Sequence, residues 1–352
     1  MLNEKSKYCN PYLFLNFGSE LQMGVTIKDI AKETGLSYST VSKALNNSPL
    51  VKKPTKEKVL KSAKALGYQP NFAARNLVKK KSQAIGLAWP TIERIALSAL
   101  VTEINKKIEE QGYSMILSIN PIKSAIELFK RMQVDGILVF EESEKDLIES
   151  FIPESIPLVS YGVPNQNSYP IIDVNHKKAI FIAVHYLFEL GHKHISYIGD
   201  LSQIDLRQQK KALGFRESMN QLQLNIDPNF GMIDTRGLDW FDGYKAAKRL
   251  IESNSLPTGL ISGSYDISQG VLRALKEAQL KIPEDILLIG YDNIPQMKLL
   301  ETPLTSVGVP IDKLADKMVT SVMNLVENKQ TVPRVQLIQP ELSLPVVQSG
   351  KG

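Results

Sequence analysis

The first patterned stretch of the chain begins at Thr26. Ile27, Ile30 and Ala31 fall on one face at helical spacing, Thr26 stands where an N-cap is needed, and Thr34-Gly35-Leu36 breaks the run. Ser37 then caps a second short helix, Tyr38–Leu45, which turns Val41 and Leu45 inward, and Gly35 supplies the left-handed turn between the two. A third helix over Pro54–Leu66 is expected to bury Val59, Leu60, Ala63 and Leu66 and to end at Gly67. Lys52 cannot cap it, so its start rests on Pro54 and Thr55. Two short helices around a glycine turn, with a third in support, make a helix-turn-helix.

From Ser82 the texture changes. Apolar runs predict strands at Ala84–Trp89, Tyr113–Ile119, Gly136–Phe140, Ile156–Ser160, His194–Gly199, Gly259–Ser262 and Ile286–Gly290. They alternate with amphipathic helices near 95–111, 176–190, 207–221, 240–252, 266–278 and 311–327. Such alternation implies parallel sheets covered on both faces. A body of this size should form two subdomains, with a ligand bound beyond the strand ends between them. Between the two patterns, residues 71–81 are short, basic and only marginally helical, and read as a linker that folds on a partner.

Composition narrows the function classes. At 352 residues the chain exceeds one compact core. No apolar run approaches the roughly 18 residues of a membrane span, so no membrane partner is expected. A lone cysteine, Cys9, and four histidines argue against disulfides, a zinc site or any other metal, and point to the reducing cytoplasm. His192 and His194, at the start of a strand, are read as turn residues. Residues 1–23 look like an extension outside the fold: Pro11–Phe17 is too short for an export signal, Glu4 stands in its flank, and Met23 is expected to be the translation start.

Charge is unevenly spread. Residues 24–81 hold thirteen lysines and arginines against three acids, a net of +10, while the whole chain carries only +5. Everything after residue 81 is therefore mildly acidic, since residues 1–23 balance. A basic head on an acidic body is the footprint of a module that binds a polyanion. No paired-carboxylate motif, phosphate-cradling glycine loop or nucleophile with its base is evident, so neither an enzyme nor a cofactor is expected. An exported solute-binding protein would need a signal and no basic head.

Val25-Thr26-Ile27-Lys28-Asp29-Ile30-Ala31, Gly35-Leu36-Ser37 and Thr40-Val41-Ser42-Lys43-Ala44-Leu45-Asn46 resemble the DNA-reading headpiece of the LacI/GalR family of bacterial transcription regulators. Leu66-Gly67-Tyr68-Gln69-Pro70-Asn71 with Ala74-Arg75 and Leu77 resembles the family's hinge. Glu189-Leu190-Gly191-His192, Ile282-Pro283-Glu284-Asp285, Gly290-Tyr291-Asp292 and Pro303-Leu304-Thr305-Ser306-Val307 are similar to its ligand-sensing body. The resemblance runs from about Val25 to Pro345. It implies an all-α helix-turn-helix headpiece (residues 24–70), a hinge (71–81), and an α/β body like the periplasmic binding proteins (82–347). That body would have two parallel-sheet subdomains with crossovers near 160–162, 290–293 and 320–330. The segment between Asn120 and Val134 is shorter than in many relatives and implies a trimmed helix.

What the resemblance implies for function is a cytoplasmic, homodimeric repressor of carbohydrate-use genes. It would hold a near-palindromic duplex operator and be released by a small sugar-like effector. A purine effector, or a corepressor, is the alternative. Tyr38, Ser39 and Lys43 would meet base edges in the major groove, and Thr26, Ser37, Thr40, Lys52 and Lys53 the phosphates. Asn71 and Ala74 would belong to the DNA-binding hinge, whose Leu77 would wedge a base step in the minor groove. Asp292 matches a sugar-binding aspartate, Lys211 stands where an arginine is usual, and Ser264 replaces a frequent asparagine, with Asp266 one place beyond the expected acid. Arg94 lies in a first-strand loop that diverges from the family pattern. Arg207 could grip a hydroxyl or phosphate, and Trp240, more than Trp89, could stack on a sugar face.

Overall fold

The structure, a computed structural model, describes residues 25–68, 81–141, 155–162, 168–253, 255–328 and 331–345. The expected N-terminal extension and hinge, with Asn71, Ala74 and Leu77, lie outside these residues. The chain divides into two compact units, Met1–Lys79 and Lys80–Gly352.

In the first unit, helices α1 (Ile27–Thr34), α2 (Tyr38–Leu45) and α3 (Lys53–Ala65) pack Ile30, Val41, Ala44, Val51, Val59 and Ala63 into one small core. The start of α1 is held by the Asp29 carboxylate, which accepts from the Thr26 amide at 2.8 Å and the Thr26 hydroxyl at 2.7 Å. Those two bonds hold the Asp29 carboxyl below its ordinary pKa. Gly35 ends the helix at φ +66°, a left-handed conformation costly to a side chain. α3 begins without a side-chain cap at Lys52 and with Pro54 in its first turn. Leu60, expected inside, is 53% exposed, because the core of three short helices is filled by the Val59 and Ala63 face of α3; Leu45 and Leu66 are half-buried.

Among the described basic residues of this unit, Lys58 and Lys56 serve the fold. Lys58 Nζ donates to the Thr34 carbonyl at 2.8 Å, placing a cation at the C-terminal end of α1. Lys56 Nζ donates to the Asn47 carbonyl at 3.2 Å and to its side-chain oxygen at 2.8 Å, closing the turn after α2.

The second unit contains two six-stranded sheets. The first runs β11-β5-β4-β3-β1-β2, all parallel, from β1 (Ala84–Ala88), β2 (Ser114–Ser118), β3 (Gly136–Phe140), β4 (Leu158–Tyr161), β5 (Ile171–Val174) and β11 (Val335–Ile338). The second runs β12-β10-β9-β8-β6-β7, from β6 (Ile195–Gly199), β7 (Met232–Asp234), β8 (Gly259–Ser262), β9 (Leu287–Asn293), β10 (Thr305–Pro310) and β12 (Glu341–Ser343); only β12 is antiparallel. Helices α4 (Ile95–Glu110), α5 (Ile122–Met132) and α10 (Ile311–Glu327) cover the first sheet; α6 (His176–Glu189), α7 (Leu206–Gln221), α8 (Trp240–Glu252) and α9 (Tyr265–Glu277) cover the second. Alternate residues of β1 face opposite cores, Ile85 and Leu87 one, Ala84 and Ala88 the other.

The chain passes between the sheets at 174–176, 310–311 and 338–341, not near 160–162, 290–293 and 320–330. The displacement follows from β5, β10 and β11, short strands that the hydrophobic pattern did not reveal. β5 carries a buried acid, Asp173, in its middle, and β11 sits at a sheet edge with Val335 and Leu337 exposed and a polar residue, Gln336, buried between them.

Exchange of Lys58 for methionine is expected to leave the Thr34 carbonyl unpaired and to cost the headpiece about 1 kcal/mol. Hydrogen exchange of α1 and α3 amides in the full chain should accelerate about fivefold; unchanged protection would show that Lys58 has no such role.

Candidate effector cleft and nucleic-acid interface

The body's cleft lies beyond the C-terminal ends of the strands, where open parallel sheets leave a crevice. Phe140, Tyr161 and Val174 close β3, β4 and β5 on one wall, and Asp292 and Asn293 end β9 on the other. The N-terminal turns of α4 and α7 bring in Arg94 and the group Asp205, Arg207, Gln208 and Lys211. The cavity is about 80 Å³ and opens to solvent, a narrow space beside the range of about 300–1,000 Å³ usual for small-molecule sites.

Helix α7 reaches this position because Gly214 lets it lie against α6: a Cβ there would stand 2.7 Å from the Lys177 carbonyl. Asp205 caps α7 and accepts from Arg207 Nε at 3.1 Å. Burial works against the ionised form of Asp205, but the charge and hydrogen bonds of Arg207 outweigh it and leave its pKa lowered. The Arg207 guanidinium lies 4.1 Å over the Phe140 ring, so a cation from the second subdomain covers an aromatic face of the first. Lys211 is 4% exposed. Its ammonium donates to the Gly263 carbonyl at 2.8 Å and sits 3.7 Å over the Tyr291 ring. Burial lowers its pKa to about 8 against the opposing pull of Asp292 and Asp205.

Asp292 takes φ +90°, a backbone region uncommon for residues other than glycine, though Asp and Asn enter it more readily than most. Its carboxylate accepts from the Tyr265 amide at 2.9 Å, and the adjoining β9–β10 register shifts between Val307 and Pro310. Asp266 accepts from the Ile95 amide at 3.3 Å, tying the start of α9 to the start of α4 across the cleft mouth. Burial raises the Asp266 pKa.

Four of the six expected effector residues, Arg94, Arg207, Lys211 and Asp292, therefore converge on one cleft. Trp240 does not. It is 51% exposed on α8 against Phe241 and Tyr244, because Gly243 and Gly270 pack α8 onto α9 with its aromatic side outward. Ser264 is buried and caps α9, accepting from the Ile267 amide at 3.2 Å. Trp89 is a core residue, its ring 4.8 Å from Phe140 and 6.4 Å from Tyr161. Sequence reasoning missed Phe140, Tyr161, His176, Asp205 and Tyr291. Aromatics at strand ends and an Asp immediately before a helix were the available clues.

On the headpiece, Tyr38 is 55% exposed rather than packed in the core, and Ser39 and Lys43 are exposed on the same short helix. The hydroxyls of Ser37, Ser39 and Thr40 already bond one another, Ser37 Oγ lying 3.1 Å from Ser39 Oγ and 2.8 Å from Thr40 Oγ1. The Thr26 hydroxyl is given to Asp29. Lys43, Lys52 and Lys53 are exposed.

The sign of the Lys211 effect is testable. Below about pH 8 the folded body carries a buried charge that the unfolded chain holds in water up to about 10.5, so stability should rise with pH between those values. Lys211→Met is expected to stabilise the body by about 1–2 kcal/mol at pH 7, after the lost Gly263 bond is deducted, and to lose that advantage above pH 10. Thermal melts across this range check it; a less stable variant at pH 7 would contradict the argument.

Residues 26–71 match the family described as bacterial regulatory proteins, lacI family, and residues 184–344 match a periplasmic binding protein-like domain. Catabolite control protein A of Priestia megaterium is 30% identical over 323 residues, 88% of this chain and 95% of that protein. The HTH-type transcriptional repressor PurR of Haemophilus influenzae is 31% identical over 331 residues, 90% of this chain and 96% of its own. The fold superposes on a Lac repressor dimer bound to operator and the anti-inducer ONPF with a TM-score of 0.79, at 25% identity and coverage of 91% and 97%. A regulator CelR–cellobiose complex shares the fold with a TM-score of 0.64 at 21% identity, covering 91% and 98%. With its reading helices in front and its cleft between two parallel sheets, this chain belongs to the LacI family of DNA-binding transcriptional regulators.

Proposed function

We propose that this regulator represses transcription as a homodimer on a near-palindromic operator and that a small sugar or sugar derivative, bound in the cleft, releases it. The observation that carries the effector class is the state of the cleft's aromatic rings. Arg207 covers a face of Phe140, and Lys211 covers a face of Tyr291. A purine needs such faces to stack on. A polyhydroxylated ring needs convergent donors and acceptors, which Arg94, Arg207, Lys211 and Asp292 supply. Kinship to a catabolite control protein and to a purine repressor leaves both classes open; the cleft favours the sugar.

The headpiece would enter the major groove with α2, Tyr38 and Ser39 at its leading end and Lys43 one turn on. Lysine offers a point charge rather than the bidentate fork of arginine, so its base preference is looser. Lys52 and Lys53 would neutralise phosphates, as would Thr26, Ser37 and Thr40 once their hydroxyls exchange present partners for DNA. In the hinge, Asn71 and Ala74 would line the minor groove around the Leu77 wedge. The effector acts through its differential affinity for the two cleft arrangements, and bound operator must weaken effector binding by the same factor.

Selection of duplexes from a random pool by the full chain should yield a two-fold symmetric sequence bound with steep salt dependence. Lys43→Ala should cost about 1–3 kcal/mol, relax one base position per half-site and lower the log–log salt slope by about one. Sugars, not purines, should then release the selected duplex. Salt-independent binding would overturn the DNA reading, and release by a purine alone would overturn the effector class.

A further inference from the structure

We infer that the effector carries a negative charge, a phosphate or carboxylate on a sugar-sized body, seated against Lys211 and Arg94. The inference rests on the sugar reading above and narrows it. Five charged side chains line the cleft: Arg94, Arg207 and Lys211 against Asp205 and Asp292. The two acids offset the three bases only in part: they draw on Lys211 from a distance, and Asp205 is bonded chiefly to Arg207 and Gln208. Asp205 accepts from Arg207 Nε at 3.1 Å, from the Arg207 amide at 2.9 Å and from Gln208 Nε2 at 3.4 Å. Asp292 commits an oxygen to the Tyr265 amide.

Lys211 and Arg94 are left over. Among the described residues neither makes a close ion pair; Asp292 and Asp205 act on Lys211, and Arg94 on Asp266, only through space. Lys211 is almost fully buried, and its hydrogen bond goes to a neutral carbonyl, that of Gly263. Arg94 buries its Nε with no hydrogen-bond partner among the described residues. An unpaired cation out of water is expensive, and a protein that keeps one in a binding cleft has a counter-ion arriving from outside. A neutral sugar would satisfy hydrogen bonds here and leave the charge unanswered. An anionic group answers both. Its arrival would also hold the Lys211 proton in place, so anion binding should weaken once that proton is lost.

Calorimetric titration of the full-length protein with glucose, glucose 6-phosphate, glucuronate and inorganic phosphate tests this at pH 7 and pH 9.5. A charged probe is expected to bind at least tenfold tighter than glucose at pH 7. Its affinity should fall about 30-fold by pH 9.5, the fraction of Lys211 still protonated. Lys211→Met should abolish the preference and Lys211→Arg restore it without the alkaline loss. The phosphate and carboxylate arms identify which group is carried. Glucose binding as tightly as every charged probe and releasing operator would overturn the charge while leaving the sugar reading intact. Binding by no charged probe at millimolar concentration would also overturn it, and release by a purine would remove both.

Discussion

A buried carboxylate at the first crossing between the two sheets fixes the geometry of the cleft. Asp173 is fully buried in β5, one residue before that strand ends and the chain leaves for α6. Burial opposes its charge, but His176 and Lys210 together hold its pKa below the ordinary value, so it stays ionised. Lys210 Nζ stands 2.9 Å from one oxygen and His176 Nε2 3.4 Å from the other. Both partners come from helices of the second subdomain. The carboxylate of the first sheet is thus pinned to the second, where removing one partner of a buried pair costs about 3–5 kcal/mol.

The pinning continues into the cleft wall. Burial lowers the pKa of His176, keeping the ring neutral, and its Nδ1 meets the Tyr291 hydroxyl at 2.5 Å. Burial likewise raises the Tyr291 pKa, so the phenol keeps its proton and donates it to Nδ1, leaving the Nε2 hydrogen to face Asp173. Tyr291 carries Lys211 on its ring, and the next residue is Asp292, at its positive φ. One run of contacts therefore leads from the crossing to the groups that would touch an effector. Any ligand that repositions Lys211 or Asp292 works against the interaction that holds the two subdomains in register. Coupling to a distant site would require such a run of contacts to have two discrete arrangements.

How much of this the sequence disclosed depends on how local each cause is. The headpiece was legible because its determinants lie within a few residues: Thr26 with Asp29, Gly35 at the turn, Ser37 ahead of α2. The long helices of the body emerged within a residue or so for the same reason. β5 did not, since an acid in its middle breaks the apolar run, and the burial that makes Asp173 informative depends on partners in other elements. Missing that strand moved the first crossing by more than ten residues. In the cleft, Arg94, Arg207, Lys211 and Asp292 could be named one by one, but not their pairing, which decides what they do. His176 reads in sequence as an ordinary helix start. Trp240 invited a stacking role that any exposed indole would, and only the glycine contact between α8 and α9 turns it away.

Several unfavourable features meet at the cleft, while others, such as Tyr197 Oη in a core and Ser62 Oγ in the headpiece, lie elsewhere. Asp292 in a left-handed conformation, Lys211 buried without a close ion pair, Arg94 Nε and one oxygen of Asp266 without partners all fall within or beside the same space. Each costs stability in the empty body, on the order of 1–3 kcal/mol for a strained residue or an unpaired polar group. The clusters on either side are built mainly from buried apolar residues. A protein that tolerates such a concentration of cost gains from it only when something occupies the space, because relief of the cost then adds to the affinity of the occupied state. Lysine in place of the arginine usual at position 211 sharpens the effect. Arginine stays charged at any accessible pH, whereas a buried lysine near pH 8 can release its proton, so occupancy and protonation become one equilibrium.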